Sequence, residues 1–166
     1  MARKSIVFTV EADNRDKGKQ FKITEMPARK AEEWAIRLAC AVIGAGVTNL
    51  GEGASEYCSA LPSIAIPDSV VNIDSYAFQY CNSLAFITFP DSIVNLGKSS
   101  FQFCTRLTSI TIPDSVVSLG TAVFKSCTSL TNVVIGTSVT RVGGSAFQSC
   151  TSLIRVSIPY SVTNVG

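Results

Sequence analysis

The chain has 166 residues, of which 46% are hydrophobic and 16% are charged, a composition that excludes a disordered protein. The formal net charge is +2, but residues 1–46 hold nine Lys and Arg against six Asp and Glu, whereas residues 47–166 hold five against six. Neither part is basic enough to predict nucleic-acid binding. Histidine is absent, which removes the usual general base and the usual zinc ligand.

Targeting signals are not visible in the sequence. No apolar run approaches the roughly 18 residues of a membrane span, and the N-terminal Met-Ala-Arg-Lys leads into alternating residues, not into the apolar core of a signal peptide. We therefore predict no membrane span, and the sequence leaves the compartment open.

Residues 1–46 predict a small head domain. Apolar and polar residues alternate in two stretches, which predicts a β-hairpin around the polar turn 13–19: Ile6, Phe8 and Val10, then Phe21 and Ile23. Pro27 suits the first turn of a helix. Apolar residues then follow at helical spacing: Ala31, Trp34, Ala35, Leu38, Ala41 and Val42. We expect this hairpin–helix head to cap the N-terminal end of the segment that follows.

Three segments of the head carry a family resemblance: Asp-Lys-Gly-Lys at 16–19, Phe-Lys-Ile-Thr-Glu-Met-Pro-Ala at 21–28 and Ala-Glu-Glu-Trp-Ala at 31–35. They resemble the start of a phage tail-assembly-chaperone-like family. That family continues with more helices, whereas this chain changes to repeats at Val47. The resemblance implies an assembly role and no catalytic residue.

Residues 47–166 repeat with a period of 23 residues. Four columns keep one register: Phe78, Phe101, Phe124 and Phe147; Cys58, Cys81, Cys104, Cys127 and Cys150; Val47, Val70, Ile93, Val116, Val139 and Val162; and Pro67, Pro90, Pro113 and Pro159, with Gly136 in place of a proline. A fixed period of this length predicts a solenoid, in which each unit buries its apolar side against its neighbours.

The coil from Leu107 to Leu130 illustrates the predicted unit. Alternation predicts a short strand with Ile110 and Ile112 pointing inward. A Pro-Asp-Ser turn and a second extended segment follow, and Gly120 permits a tight bend. Residues 122–127 suit one helical turn with Phe and Cys on the inner face. The unit is therefore predicted to be of the α/β class.

Two segments carry a second resemblance: Leu-Ala-Phe-Ile-Thr-Phe-Pro-Asp-Ser-Ile at 84–93 and Ala-Phe-Gln-Ser-Cys-Thr-Ser-Leu at 146–153. They resemble the BspA-like leucine-rich repeat family, and the match runs from Val47 to Gly166, with departures at Ser55 and at Gly136-Thr137. The resemblance implies a leucine-rich-repeat solenoid, for which we predict a right-handed coil of about five turns. It also implies non-enzymatic binding, often adhesion of a microbial surface protein to host or matrix proteins.

Strand residues that point outward are the candidate binding site. Three columns are expected to line the concave sheet: Pro62, Ala85, Thr108, Thr131 and Ile154; Ser63, Phe86, Ser109, Asn132 and Arg155; and Ala65, Thr88, Thr111, Val134 and Ser157. Aromatic and arginine side chains are the usual anchors of protein interfaces. We therefore predict partner binding by Phe86, Thr88, Thr108, Thr111, Asn132 and Arg155. The alternative is a solvated sheet whose residues only favour strand formation.

Two further columns could carry chemistry. The five repeat cysteines predict buried free thiols, the alternatives being a metal or redox site, and Cys40 is expected in the core of the head. The aspartate column of Asp68, Asp91 and Asp114 predicts turn capping, the alternative being a calcium ladder. We expect neither a metal nor a cofactor.

The chain reaches Gly166 where the next unit would begin its helical turn. This predicts either a fragment of a longer array or end-to-end pairing of the open coil with another chain. The leading functional hypothesis is a non-catalytic protein-binding module. The second is a phage-type assembly factor acting through residues 1–46. An enzyme is the third, and no acid–base constellation supports it.

Overall fold

The computed structural model describes residues 5–9, 20–24, 48–59 and 61–166. These residues form thirteen strands and no helix: β1 Ser5–Thr9, β2 Gln20–Thr24, β3 Asn49–Leu50, β4 Ser63–Ala65, β5 Asn72–Ile73, β6 Phe86–Thr88, β7 Asn95–Leu96, β8 Ser109–Thr111, β9 Ser118–Leu119, β10 Asn132–Val134, β11 Arg141–Val142, β12 Arg155–Ser157 and β13 Asn164–Val165.

The predicted hairpin strands of the head are confirmed. β1 pairs with β2 in antiparallel register, with Ser5 opposite Thr24 and Thr9 opposite Gln20. The polar turn at 13–19, the helix from Pro27 onward and Cys40 lie outside the described residues. The helix and the capping role of the head therefore stay predictions.

The repeats form a β-solenoid whose strands lie in two parallel stacks. Five three-residue strands (β4, β6, β8, β10 and β12) follow one another on one side, and we call their outer surface the long-strand face. Six two-residue strands (β3, β5, β7, β9, β11 and β13) form one continuous sheet, whose outer surface we call the short-strand face. Within each stack, a paired residue lies opposite the residue 23 positions away in the chain, as Asn132 lies opposite Ser109 and Arg155. The predicted solenoid and its period are therefore confirmed, while its right-handed sense stays a prediction.

The third side of each coil consists of turns, and the predicted helical turn is wrong. In the coil that contains Phe124, Lys125 N–H donates to Ala122 O and Cys127 N–H donates to Phe124 O. Alternate amides instead point along the solenoid, as when Phe124 N–H donates to Ala146 O of the next coil. Ala122 (φ 56°) and Ser126 (φ 61°) are left-handed, which an α-helix does not allow. The described solenoid is therefore all β, and we call this third side the turn face.

The turn face persists because stacking satisfies its backbone. A lone coil would leave the alternate amides without acceptors, and an unpaired buried amide costs about as much as a lost hydrogen bond. Each coil supplies acceptors to every second amide of its neighbour, whereas the hydrogen bonds of a helix would stay within one coil. The helical pattern in the sequence was therefore overridden by contacts between coils.

The columns identified in the sequence form the core. Phe78, Phe101 and Phe124 are fully buried, and their rings stack with centroid distances of 5.2 and 5.5 Å. Phe147 continues the stack at 5.7 Å from Phe124. Such aromatic pairs contribute about 0.5–1.5 kcal/mol each beyond the area they bury. The stack therefore ties successive coils together along one axis.

The glycine column has a different role from the predicted one. Gly120 does not adopt a left-handed conformation, but a Cβ added there would lie 2.5 Å from the carbonyl carbon of Gly97 in the preceding coil. Glycine is needed because two backbones approach closely, not because the chain must bend tightly.

The long-strand stack is interrupted between β6 and β8. Strand pairing joins β4 to β6 and β8 to β10 and β12, but not β6 to β8. Phe89 follows β6 in a column that otherwise holds isoleucine, and its ring meets the Phe101 ring edge-on at 5.6 Å. We attribute the interruption to this larger side chain, which occupies core space that isoleucine leaves free.

Candidate functional site

The long-strand face presents the outward columns predicted from the sequence. In β4, β6 and β8 the outer two residues are exposed and the central one is buried. Phe86 is 62% exposed, although it lies in a strand, because its side chain points away from the core. Thr88 and Thr111 are exposed in the neighbouring outward column.

Two threonines of the outward column that runs from Pro62 to Ile154 use their hydroxyl groups within the solenoid. Thr108 Oγ1 donates to Ala85 O at 3.4 Å, and Thr131 Oγ1 donates to Thr108 O at 2.9 Å. Thr108 lies just before β8 and is only half exposed. Of the six predicted site residues, Thr108 is thus the least available to a partner.

The structure divides the predicted site between two sheets. Phe86 and Thr88 belong to β6, whereas Thr111, Asn132 and Arg155 belong to β8, β10 and β12. Parallel neighbours lie about 4.8 Å apart, so three strand steps of this kind place Arg155 about 14 Å from Phe86. A partner that contacts both must span the junction of β6 and β8.

Arg155 brings the only charge to the three outward columns. It is exposed, and the apolar residues Val134 (37% exposed) and Ile154 (85% exposed) lie in the columns on either side of it. Arginine beside apolar surface is typical of interface anchors, because its guanidinium stacks and donates several hydrogen bonds.

An aromatic column on the turn face was missed by the sequence analysis. Tyr57, Tyr80 and Phe103 stack with ring centroids 4.8 and 4.7 Å apart and interplanar angles of 6°. All three have left-handed backbones, with φ of 63°, 61° and 62°, an uncommon conformation for aromatic residues. Tyr57 is 61% exposed and the other two are half-exposed. The 23-residue register carries this signal, since the three aromatics share one column.

The short-strand face carries a ladder of asparagine amides, which the sequence analysis also missed. Asn72 Nδ2 donates to Asn49 Oδ1 at 2.7 Å, and Asn95 Nδ2 donates to Asn72 Oδ1 at 2.9 Å. The ladder stabilises the edge-to-edge stacking of these strands. These three amides therefore spend part of their hydrogen-bonding capacity on one another.

The cysteine column is structural. Cys104 Sγ donates to Phe78 O at 3.3 Å, and Cys127 Sγ donates to Phe101 O at 3.2 Å. Burial raises the pKa of the Cys104 thiol well above its usual value, and neighbouring thiols raise it further. Burial likewise raises the pKa of Cys127 and Cys150. Since the thiolate is the reactive form, these thiols are poor nucleophiles and poor metal ligands.

One aspartate of the column bonds to a turn of the next coil, whereas the predicted capping was of its own turn. Asp114 Oδ1 accepts the Thr137 amide of the next coil at 2.6 Å, and this hydrogen bond lowers the pKa of the carboxyl group. Within the described residues no group of His, Cys, Asp and Glu side chains is arranged to hold a metal ion.

Comparison with protein families identifies the family of the repeats. The family model for the BspA type leucine rich repeat region matches residues 48–166 in six copies. The chain belongs to the BspA-type leucine-rich repeat family. Solenoids of this family are generally non-enzymatic and mediate protein interactions. The phage tail-assembly resemblance of residues 1–46 finds no support in these comparisons.

Solved structures share the fold of this BspA-type chain. The T. pallidum leucine rich repeat protein TpLRR is 30% identical with a TM-score of 0.67, over 72% of this chain and 63% of its own. A leucine rich cell surface protein of Faecalibacterium prausnitzii A2-165 is 34% identical with a TM-score of 0.63, over 72% of this chain and 29% of its own. The pneumococcal vaccine antigen PcpA, 19% identical with a TM-score of 0.59, covers 72% of this chain and 34% of its own and shares the fold alone.

The chain therefore covers less than two thirds of each of these structures. A search of the curated proteins found no match. The part of the chain that the structure describes contains no helix with the length and hydropathy of a membrane span.

Proposed function

We propose that this BspA-type array is a non-catalytic adhesion module that binds a protein partner through its long-strand face. The observation that carries the proposal is Phe86, an aromatic side chain that is 62% exposed on a strand surface whose other outward residues in the coils of β4, β6 and β8 are small or carry a hydroxyl group. Burial does not explain this residue, since an exposed aromatic ring gains little from the hydrophobic effect.

The remainder of the face fits this role. Thr88 and Thr111 place exposed hydroxyl groups beside the Phe86 column, and Asn132 and Arg155 extend the surface toward the C-terminal coil. An apolar anchor, adaptable hydrogen-bonding groups and one arginine are the elements of a protein interface with few strong contacts. The 34% identical leucine rich cell surface protein supports a location at a microbial surface.

The experiment uses substitutions that the repeat itself supplies. Ser63 and Ser109 share the column of Phe86 and Arg155, so F86S and R155S place residues that this column already accommodates. The full chain, immobilised, captures partners from an extract of host extracellular proteins, and the dissociation constant of each purified partner is then measured. We expect F86S and R155S each to weaken binding by about tenfold or more, the effect of an interface anchor.

A matched control lies on the opposite sheet. Val117 is 45% exposed on the short-strand face, and Thr48, Thr140 and Thr163 share its column, so V117T changes an exposed apolar residue elsewhere. If V117T weakened binding as much as F86S does, the assignment to the long-strand face would be contradicted. Equal binding by wild type and F86S, with superimposable circular dichroism spectra, would also contradict it.

A further inference from the structure

The aromatic column of the turn face ends with an uncovered ring. Tyr57, Tyr80 and Phe103 occupy three successive coils, and the next two positions of the column are Ser126 and Ser149. Each ring covers the face of its neighbour at 4.7–4.8 Å. The Ser126 side chain is too short to cover the far face of Phe103 in the same way, so the aromatic stack ends at Phe103 and serine continues the column.

The turn segments next to this open face carry three cations. Lys98 and Arg106 lie on the turn segment of the Phe103 coil, and Lys125 lies on that of the next coil. Lys98 Nζ lies 5.7 Å from the centroid of the Tyr76 ring in the preceding coil. The turn segments 75–83, 98–106, 121–129 and 144–152 contain no Asp or Glu. The surface beyond Tyr57 is therefore cationic and aromatic, although residues 47–166 as a whole are slightly acidic.

The spacing of the stacked rings favours an aromatic side chain over a nucleic acid as the ligand. Rings 4.7–4.8 Å apart leave no gap into which a nucleobase could insert, and three cations are few beside the phosphate contacts that nucleic-acid binding requires. One further ring, in contrast, can stack on Phe103 and continue the column, since aromatic pairs favour such offset stacking. Carboxylates of the same ligand, close to its ring, would then complement the three cations.

We propose that the turn face is a second docking surface, distinct from the long-strand face, for an acidic protein segment with an aromatic side chain. The partner ring stacks on the open face of Phe103 above Ser126. Its carboxylates meet Lys98, Arg106 and Lys125. Stacking on Tyr80 holds the Phe103 ring in place before binding, which lowers the entropy lost on association.

The test selects ligands from a displayed library of random peptides of about twelve residues, with the full chain as target. We expect the selected peptides to combine Phe, Tyr or Trp with Asp or Glu within a few residues. In solution, nuclear Overhauser contacts should connect the peptide ring to the Phe103 ring protons.

Column-matched variants then test the geometry. F103S copies Ser126 and Ser149, which have the same left-handed backbone, so it removes the ring without a new conformational demand. We expect it to weaken peptide binding about tenfold or more. The triple variant K98T/R106S/K125Q copies Thr121, Ser129 and Gln148 from the same columns, and it should weaken binding at low salt and remove most of its salt dependence.

The outcomes separate this surface from the long-strand face. F86S should bind the selected peptides as wild type does, whereas F103S should leave the long-strand partner's dissociation constant unchanged. Failure to select any peptide, selection of peptides without acidic or aromatic residues, or unchanged binding by F103S would each overturn the proposal. Binding of single-stranded DNA or of an anionic polysaccharide in preference to the acidic peptides would overturn it as well.

Discussion

Replacing Ser100 with alanine is expected to stabilise the array. Ser100 is fully buried and, within the described residues, its Oγ has no hydrogen-bond partner. Ala77 in the preceding coil and Ala146 two coils further on fill the same column, and both are buried, so the column accommodates alanine. A buried hydroxyl without a partner costs about 1–3 kcal/mol. Because removing the oxygen also leaves a small void, we expect S100A to gain about 1–2 kcal/mol.

Equilibrium urea unfolding measures this gain, and Ser92 supplies the control. Ser92 Oγ donates to Val70 O at 2.7 Å, so S92A makes the same chemical change where the hydrogen bond is formed. We expect S92A to lose about 0.5–1.5 kcal/mol. The two variants should therefore shift the unfolding midpoint in opposite directions with unchanged slope. If S100A destabilises the chain, or if both variants shift it the same way, the bonding pattern assigned to these hydroxyls is wrong.

Three further outcomes are expected. The Pro column suggests that G136P should stabilise the chain, but a Cβ there would lie 2.6 Å from the Pro113 carbonyl carbon, so we expect a loss of about 1–3 kcal/mol in thermal or urea unfolding; a gain would contradict the close approach. Cys104 and Cys127 have raised folded pKa values, so unfolded thiols ionise first and stability should fall as pH rises above about 8.5; urea titrations from pH 7 to 10 should show this slope, and a C104A/C127A variant should flatten it. The Phe89 amide should exchange with solvent at least about tenfold faster than that of Ile112, which donates to Val134 O at 2.8 Å in an intact ladder; hydrogen exchange read by NMR would refute this if the two rates were equal.

Much of the fold could be predicted because the repeats of the chain can be aligned with one another. Columns of Phe, Cys and Val at a 23-residue interval identify the inward positions, and the structure buries Phe101, Cys104 and Val116 completely. The helical turn was predicted wrongly because Phe124 and Cys127 have helical i, i+3 spacing. Such spacing also occurs in successive β-turns, so periodicity alone does not distinguish the two.

The candidate surfaces were only partly predictable. The outward strand columns followed from alternation, which placed Phe86 and Arg155 correctly on an exposed face. The Tyr57, Tyr80 and Phe103 column was visible in the register but carried no interpretation, because a helical turn was expected there. The interruption between β6 and β8 could not be predicted from Phe89. Whether a larger side chain disturbs the strand pairing depends on how neighbouring coils pack, which the sequence does not give.

The sequence by itself determined that apolar side chains recur every 23 residues and that no coil can bury them alone, which requires a stack. Only the tertiary structure decided how each coil closes. Alternate amides of the turn face find their acceptors in the next coil, so its backbone conformation is selected by a neighbour and not by local preference. That same choice brings three aromatic rings into one surface column, where the local sequence of any single coil shows only one.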